Sequence, residues 1–122
     1  LGPAKQARKM IIYLYSIDKA FYYGGPARWL GAFYAIAPGI AGGDMKKSKQ
    51  YYEEALAMAP QYFATKVLMA ENYYPKLKDR GNYDKMLDEV INGEAVSIPE
   101  IAIEQKVEQE KARKLKAAKW EN

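Results

Sequence analysis

The chain has 122 residues, 49% of them hydrophobic, which suits one compact domain able to hide roughly two-thirds of its unfolded surface. It contains no cysteine and no histidine, which excludes disulfides, thiol nucleophiles, thiolate or imidazole metal sites and the commonest general base. The formal charge is +4, from 19 basic residues interleaved with 15 acidic ones, and no apolar run approaches the roughly 18 residues of a transmembrane candidate.

The hydrophobic spacing predicts six helices. The first runs from about Ala4 to Ile17, with Ala7, Met10, Ile11, Leu14 and Ile17 on one face. Phe21-Tyr22-Tyr23 is an apolar connector into Gly24-Gly25-Pro26. Gly25-Pro26 starts a second helix with Pro at its first position, where the missing N–H costs nothing. That helix carries Trp29, Leu30, Phe33, Ile36 and Ala37, and Pro38-Gly39 stops it. Asp44 caps a third, whose inner stripe is Met45, Ser48, Tyr52, Ala55, Leu56 and Ala59, and Pro60 closes it. The fourth, Gln61 to about Leu77, is apolar on two faces: Tyr62, Met69, Ala70 and Tyr73 on one, Phe63, Val67, Tyr74 and Leu77 on the other. Such a helix is sandwiched between neighbours, so it is expected to be the central element. Asn82 is expected to cap a fifth helix striped by Tyr83, Met86, Leu87, Val90 and Ile91 and ended by Gly93. Ser97-Ile98-Pro99-Glu100 reads as a capping box. It opens a long sixth helix toward Trp120, with Ile98, Ile101, Ala102 and Ile103 inward and the stripe thinning after Val107. The Glu110–Lys114 pair supports that helix, which reads as the cap of the array.

Similar marks recur along the chain. Leu30, Gly31 and Tyr34 map onto Met69, Ala70 and Tyr73 at an offset of 39 residues; Ser48 and Tyr52 map onto Met86 and Val90 at 38. Backward, Ala7, Ile11 and Leu14 map onto Ser48, Tyr52 and Ala55 at 41. The order Leu30-Gly31-x-x-Tyr34, Gly43-Asp44, Tyr52-x-x-Ala55, Pro60 resembles a tetratricopeptide repeat, a helix–turn–helix unit of about 34 residues. In that arrangement Gly31 and Ala70 supply the small surface and Tyr34, Tyr52 and Tyr73 the bulk between paired helices. The extra residues fall in hairpin tips, where loop-closure entropy grows slowly. The expected fold is therefore all-α, a tetratricopeptide-like helical hairpin solenoid of about six helices with a long C-terminal helix. The domain is single: 1–23 forms an incomplete first copy, 24–60 and 61–96 are hairpin copies, and 97–122 is the capping helix. Because it starts at Leu1, the chain is expected to be a processed or trimmed product, and no signal peptide is visible.

Chemical motifs are lacking. Glu53-Glu54 and Asp88-Glu89 are neighbours in sequence, so their side chains diverge on a helix and read as solvated faces. Asp44-x-x-x-Ser48 and Gly81-Asn82-Tyr83-Asp84 lack the alternating oxygen ligands of a calcium loop. Gly24-Gly25 has no preceding strand and no following G-x-x-x-x-G-K, so it is no phosphate loop. The densest basic cluster, Lys111 to Lys119, is broken by neighbouring Glu108, Glu110 and Glu121, with no base-stacking module, which argues against nucleic acid. No catalytic, cofactor or metal site is expected, and the chain is not read as an enzyme.

One longer pattern is more specific. It comprises Ile17-Asp18-x-x-Phe21-Tyr22-Tyr23-Gly24-Gly25-Pro26-x-Arg28-x-Leu30-Gly31, then Pro38, Gly42-Gly43-Asp44 and Tyr52-Glu53-x-Ala55-Leu56. It continues with Pro60-x-Tyr62 and Lys66-Val67-Leu68-x-Ala70-Glu71-x-Tyr73. Over roughly residues 10 to 92 this resembles the T-component (TatT) family associated with tripartite ATP-independent periplasmic (TRAP) transporters. The resemblance implies a bacterial periplasmic or cell-envelope helical protein, often lipid-anchored, that assembles as a homotrimer. It also implies a partner, the transporter's periplasmic substrate-binding protein, and a role in handling hydrophobic small molecules. The front end departs from the family pattern, with no lipoprotein signal and no cysteine to acylate, so any anchor is expected in a segment outside this sequence.

In stacked hairpins the first helix of each pair lines the concave binding side. Counting from Leu30 and Met69 gives groove positions Arg28, Ala32, Ala35 and Ile36 on the second helix, and Ala64, Val67, Glu71 and Tyr74 on the fourth. Arg28 and Glu71 are charges on helices otherwise committed to packing. They read either as a pair orienting a peptide or ligand carboxylate, or as a structural ion pair between helices. Tyr22, Tyr23 and Tyr74 form a second candidate surface, with core packing as the alternative. The expected function is a non-catalytic accessory protein of a TRAP transporter that associates with a substrate-binding protein. The alternatives are a structural helical-repeat subunit of a larger membrane or surface assembly without a ligand, and a cytoplasmic adaptor for acidic peptide ends.

Overall fold

The computed structural model describes residues 2–118 and 120, and every element is helical, with no strand among the described residues. Lys119 and Glu121 of the C-terminal charge cluster lie outside the described residues. The chain divides into two compact units, Leu1–Ala59 and Pro60–Asn122.

The first unit holds α1 (Gly2–Ile17), α2 (Phe21–Ile36), a 3₁₀ turn (Gly39–Ala41) and α3 (Met45–Met58). α2 and α3 form an antiparallel hairpin around a small-on-large contact. A Cβ on Gly31 would sit 2.7 Å from Cγ of Tyr52, so the Tyr52 ring lies directly on the α2 backbone. Ser48 Oγ donates to the Gly31 carbonyl at 2.6 Å, and Leu30, Tyr52 and Ala55 are fully buried beside it. The hairpin tip is built from backbone. Gly42 takes φ +101, where a side chain is strained, and Gly43 has no room for a Cβ against the Ala37 carbonyl. Gly43 N–H donates to Pro38 O and Asp44 N–H to Tyr34 O, both at 2.9 Å. The Asp44 carboxylate then accepts from Lys46 and Lys47 N–H at 3.0 and 3.1 Å and starts α3 as expected.

The α1–α2 connection contains a short left-handed turn. Hydrogen bonding carries α2 back to Phe21, yet Tyr22 (φ 45, ψ 61), Tyr23 (φ 60, ψ 43) and Gly24 (φ 78, ψ 28) are left-handed. Regular α geometry resumes around Gly25-Pro26, where the sequence places the helix start. Arg28 closes the turn, donating to Tyr23 O at 3.0 Å and Tyr22 O at 3.1 Å. α1 itself is only partly inward. Ala7, Ile11 and Leu14 are half-buried, but Met10 (71% exposed) and Ile17 (63%) turn outward, which narrows the predicted stripe. Aromatic and polar contacts set its orientation instead. Tyr15 meets the edge of Tyr51 at 5.5 Å and donates to Glu54 on α3, while Arg8 lies over the Phe33 ring of α2.

The second unit comprises α4 (Phe63–Asn72), a single helical turn (Tyr74–Leu77) and α5 (Arg80–Ile91). Two 3₁₀ turns (Ala95–Ser97 and Pro99–Ile101) and α6 (Ala102–Ala117) follow. Its core is Phe63, Val67, Ala70, Leu87, Val90, Ala95 and Ala112. Three expectations are corrected here. The fourth helix stops at Asn72 rather than Leu77, because Pro75 cannot donate an N–H and its ring collides with the preceding turn. Asp79, not Asn82, caps α5: it accepts from Asn82 N–H at 3.0 Å and Asn82 Nδ2 at 2.7 Å. Those Asn82 bonds, side chain first, hold the Asp79 carboxyl below the usual range. The capping box at Ser97 does not form; the backbone at Ile98 (φ −123, ψ 87) separates two 3₁₀ turns and α6 begins only at Ala102.

The inner face of α6 also differs from the predicted stripe. Ile103 and Val107 are 81% and 51% exposed, while Gln105, Gln109 and Ala112 are buried. The glutamines bond to helix ends. Gln105 accepts from Phe63 N–H at 2.9 Å and donates to Gln61 O at 2.6 Å, serving the start of α4, where Tyr62 offers no side-chain cap. Gln109 donates to Val90 O at 3.0 Å and Gly93 O at 2.9 Å, serving the end of α5. Helix ends carry unpaired N–H and C=O groups, so α6 closes this unit by satisfying both kinds.

Candidate functional site

The first unit contains a cleft of about 620 Å³ between the start of α1, the end of α2 and the turn after it. That size is ordinary for a small-molecule site. The helical spacing of Trp29, Phe33 and Ile36 places all three on the α2 wall, with Ala32 between them. Trp29 and Phe33 stack at 5.6 Å with an interplanar angle of 8°. The 3₁₀ turn supplies a lip in which Ile40 is fully exposed, and the Gly42–Gly43 tip described above fixes that lip. Ala4, Lys5 and Arg8 form the α1 wall.

The electrostatics are one-sided. Among the described residues, Lys5 and Arg8 are the only charged ones lining the cleft. Neither forms an ion pair among the described residues, and α1 contains no Asp or Glu. The Arg8 guanidinium carbon lies 5.2 Å from the Phe33 ring centroid, a cation–π contact that keeps the side chain extended along the wall. Its Nη1 also fills the space a Cβ on Gly42 would take, at 3.0 Å. Such a site can bind an apolar or anionic group. Among the described residues no cluster of three acidic, His or Cys side chains could hold a metal.

The residues singled out in the sequence fall into three places. Ala32 and Ile36 line the cleft. Tyr22, Tyr23 and Arg28 come together in the left-handed turn, where Tyr22 is 46% exposed and its ring meets Tyr23 edge-on at 5.2 Å. Ala35 is fully buried in the first unit. In the second unit Val67 belongs to the core, Tyr74 is buried, Ala64 is half-buried and Glu71 is exposed. Of the packing residues, Leu30, Gly31, Tyr34, Tyr52, Ala55, Ala70 and Tyr73 are buried and Pro60 is exposed. Sequence reasoning did not find Lys5, Arg8 or the Pro38–Gly42 lip as parts of a site. The readable signal was an opening helix with three cations and no carboxylate.

Comparison with known families decides the context. The family model described as "TRAP transporter T-component" matches residues 3–121, nearly the whole chain. The chain belongs to that family. No curated protein matches it. Membership gives this T-component an accessory role in a transport system and points to a bacterial envelope or periplasmic location. No helix among the described residues is long and apolar enough to cross a membrane.

Proposed function

We propose that this T-component is a non-catalytic, periplasmic binding subunit of a TRAP transporter that holds the apolar part of a small ligand in the α1–α2 cleft. It works beside the periplasmic substrate-binding protein, which delivers or receives that ligand. The observation that carries the reading is the cleft, with stacked Trp29 and Phe33, alanines along its walls and an exposed Ile40 at its lip. Apolar walls with few polar groups are what a ligand-holding site needs. The Gly31–Tyr52 contact supports a tetratricopeptide-like hairpin as the scaffold, and assembly as a homotrimer follows from the family resemblance.

The test is uptake of the neutral apolar dye N-phenyl-1-naphthylamine, read by its fluorescence gain. The wild-type protein is expected to bind one dye per chain, and Ala32→Trp, which fills the cleft, to abolish binding while the helical circular dichroism is kept. Dye binding that Ala32→Trp leaves untouched overturns the assignment. One observation favours a second reading, a structural subunit of a larger assembly: Met10, Tyr13 and Ile17 form an exposed apolar stripe on α1. Native mass spectrometry of material from its own source separates the two. A trimer with a small adduct or a substrate-binding protein supports the first, and recovery only within a complex of unrelated subunits supports the second.

A further inference from the structure

We propose that the ligand of the cleft is an anionic amphiphile with one carboxylate-type headgroup and one aliphatic chain. The headgroup sits between Lys5 and Arg8, and the chain lies over Trp29 and Phe33 toward Ile36 and Ile40. The inference rests on the cleft reading above and adds to it the charge and polarity of the ligand.

The geometry gives the headgroup a single place. Lys5 and Arg8 are three residues apart on α1, so they emerge from the same side of the helix, and both line the cleft. No carboxylate competes for either among the described residues. The cation–π contact with Phe33 orients Arg8 before any ligand arrives, leaving its N–H groups to donate to an anion. The remaining walls are aliphatic, aromatic or small, with Trp29, Phe33, Ile36 and Ile40 forming the far part. A second charged group on the ligand would lie against those walls without a partner and pay its desolvation cost. One anionic end and one apolar end is therefore the class that fits. The charge distribution agrees. Residues 1–59 hold 8 of the 19 basic and 4 of the 15 acidic residues, so the whole excess of +4 lies in the unit with the cleft and residues 60–122 are neutral.

The experiment uses the full chain and displacement of N-phenyl-1-naphthylamine by dodecanoate, dodecanol and dodecyltrimethylammonium, each below its micelle concentration. Dodecanoate is expected to bind about tenfold tighter than dodecanol, as one charge-assisted contact provides, with the cation weakest. That preference should shrink with added salt. Lys5→Gln with Arg8→Gln should remove the preference, so that dodecanoate and dodecanol bind with equal affinity. Lys5→Gln alone, at an exposed position where folding is not at stake, should lower the salt dependence. Equal binding of dodecanoate and dodecanol by the wild-type chain overturns the headgroup assignment while the cleft reading stands. Failure of the dye itself to enter overturns both. Binding to phosphatidylglycerol vesicles without displacement by free dodecanoate also overturns the proposal, placing the two cations on a lipid surface.

Discussion

Gly31 and Tyr52 show how single residues set the first unit. The ring occupies the volume that any side chain at 31 would need, and Ser48 bonds the same peptide from below. Gly31→Ala places a methyl group 2.7 Å from ring carbon, so the helices must part or the ring must leave its rotamer. Overpacking of this kind costs about 1–3 kcal/mol, and a lower urea midpoint at unchanged m-value is the expected reading. Tyr15 offers a pH test. Its bond to Glu54, together with burial and the carboxylate's charge, pushes its pKa to about 12 from the ordinary 10.0. The folded chain thus keeps a proton that the unfolded chain releases, so the Tyr15–Glu54 contribution is complete below pH 10 and disappears as pH rises through about 12. Burial raises Tyr51 in the same direction. Thermal melts should show Tyr15→Phe less stable than wild type near neutrality, with the two curves converging between pH 10 and 12.

Between elements, polar side chains act as fasteners. Gln105 meets an N–H at the start of α4 and the Gln61 carbonyl, and Gln109 meets two carbonyls at the end of α5. Gln105→Ala strands the buried Phe63 N–H away from water at about 1–3 kcal/mol, and faster hydrogen exchange at that amide should mark the site of the loss. Arg28 plays the corresponding part in the first unit. Left-handed geometry costs roughly 1–2 kcal/mol per ordinary residue, and Arg28 bonds both tyrosine carbonyls in the turn. Arg28→Lys keeps the charge but replaces the two-pronged guanidinium with a point donor; the expected loss is about 1–2 kcal/mol in chemical denaturation. These fasteners also mark where sequence reading stopped. Asp44 was readable as a cap because a cap is local, and Gly31 because a small residue facing a large one recurs. Gln105 and Gln109 were not, since hydrophobic periodicity assigns glutamine to the solvent side and seats Ile103 and Val107 inward instead. Pro75 was readable, yet the two-faced apolar pattern ran across it to Leu77. The cleft was hidden for a different reason: Lys5 and Arg8 meet Trp29 and Ile40 only through the relative placement of α1 and α2, which no local pattern specifies.

Across the whole molecule, anchorage is uneven in a way that bears on function. α2 and α3 share fully buried Leu30, Tyr52 and Ala55, and the second unit has its own core closed by α6. α1, by contrast, has no buried residue, although it forms one wall of the cleft and carries both of its cations. Segments with little buried apolar contact open at low free-energy cost, so α1 should exchange its amide hydrogens fastest among the long helices. A ligand lying across Arg8, Phe33 and Trp29 binds only while α1 is docked, which makes binding and docking a linked equilibrium. Ligand at about 100 times its dissociation constant should then stabilise the docked state by roughly 2.7 kcal/mol, close to a hundredfold in exchange. Hydrogen-exchange mass spectrometry with saturating dodecanoate should show this slowing in peptides covering residues 4–17, with peptides covering 63–72 and 80–91 unchanged. Uniform slowing over the whole chain would mean that the ligand stabilises folding globally and that α1 is no separate gate.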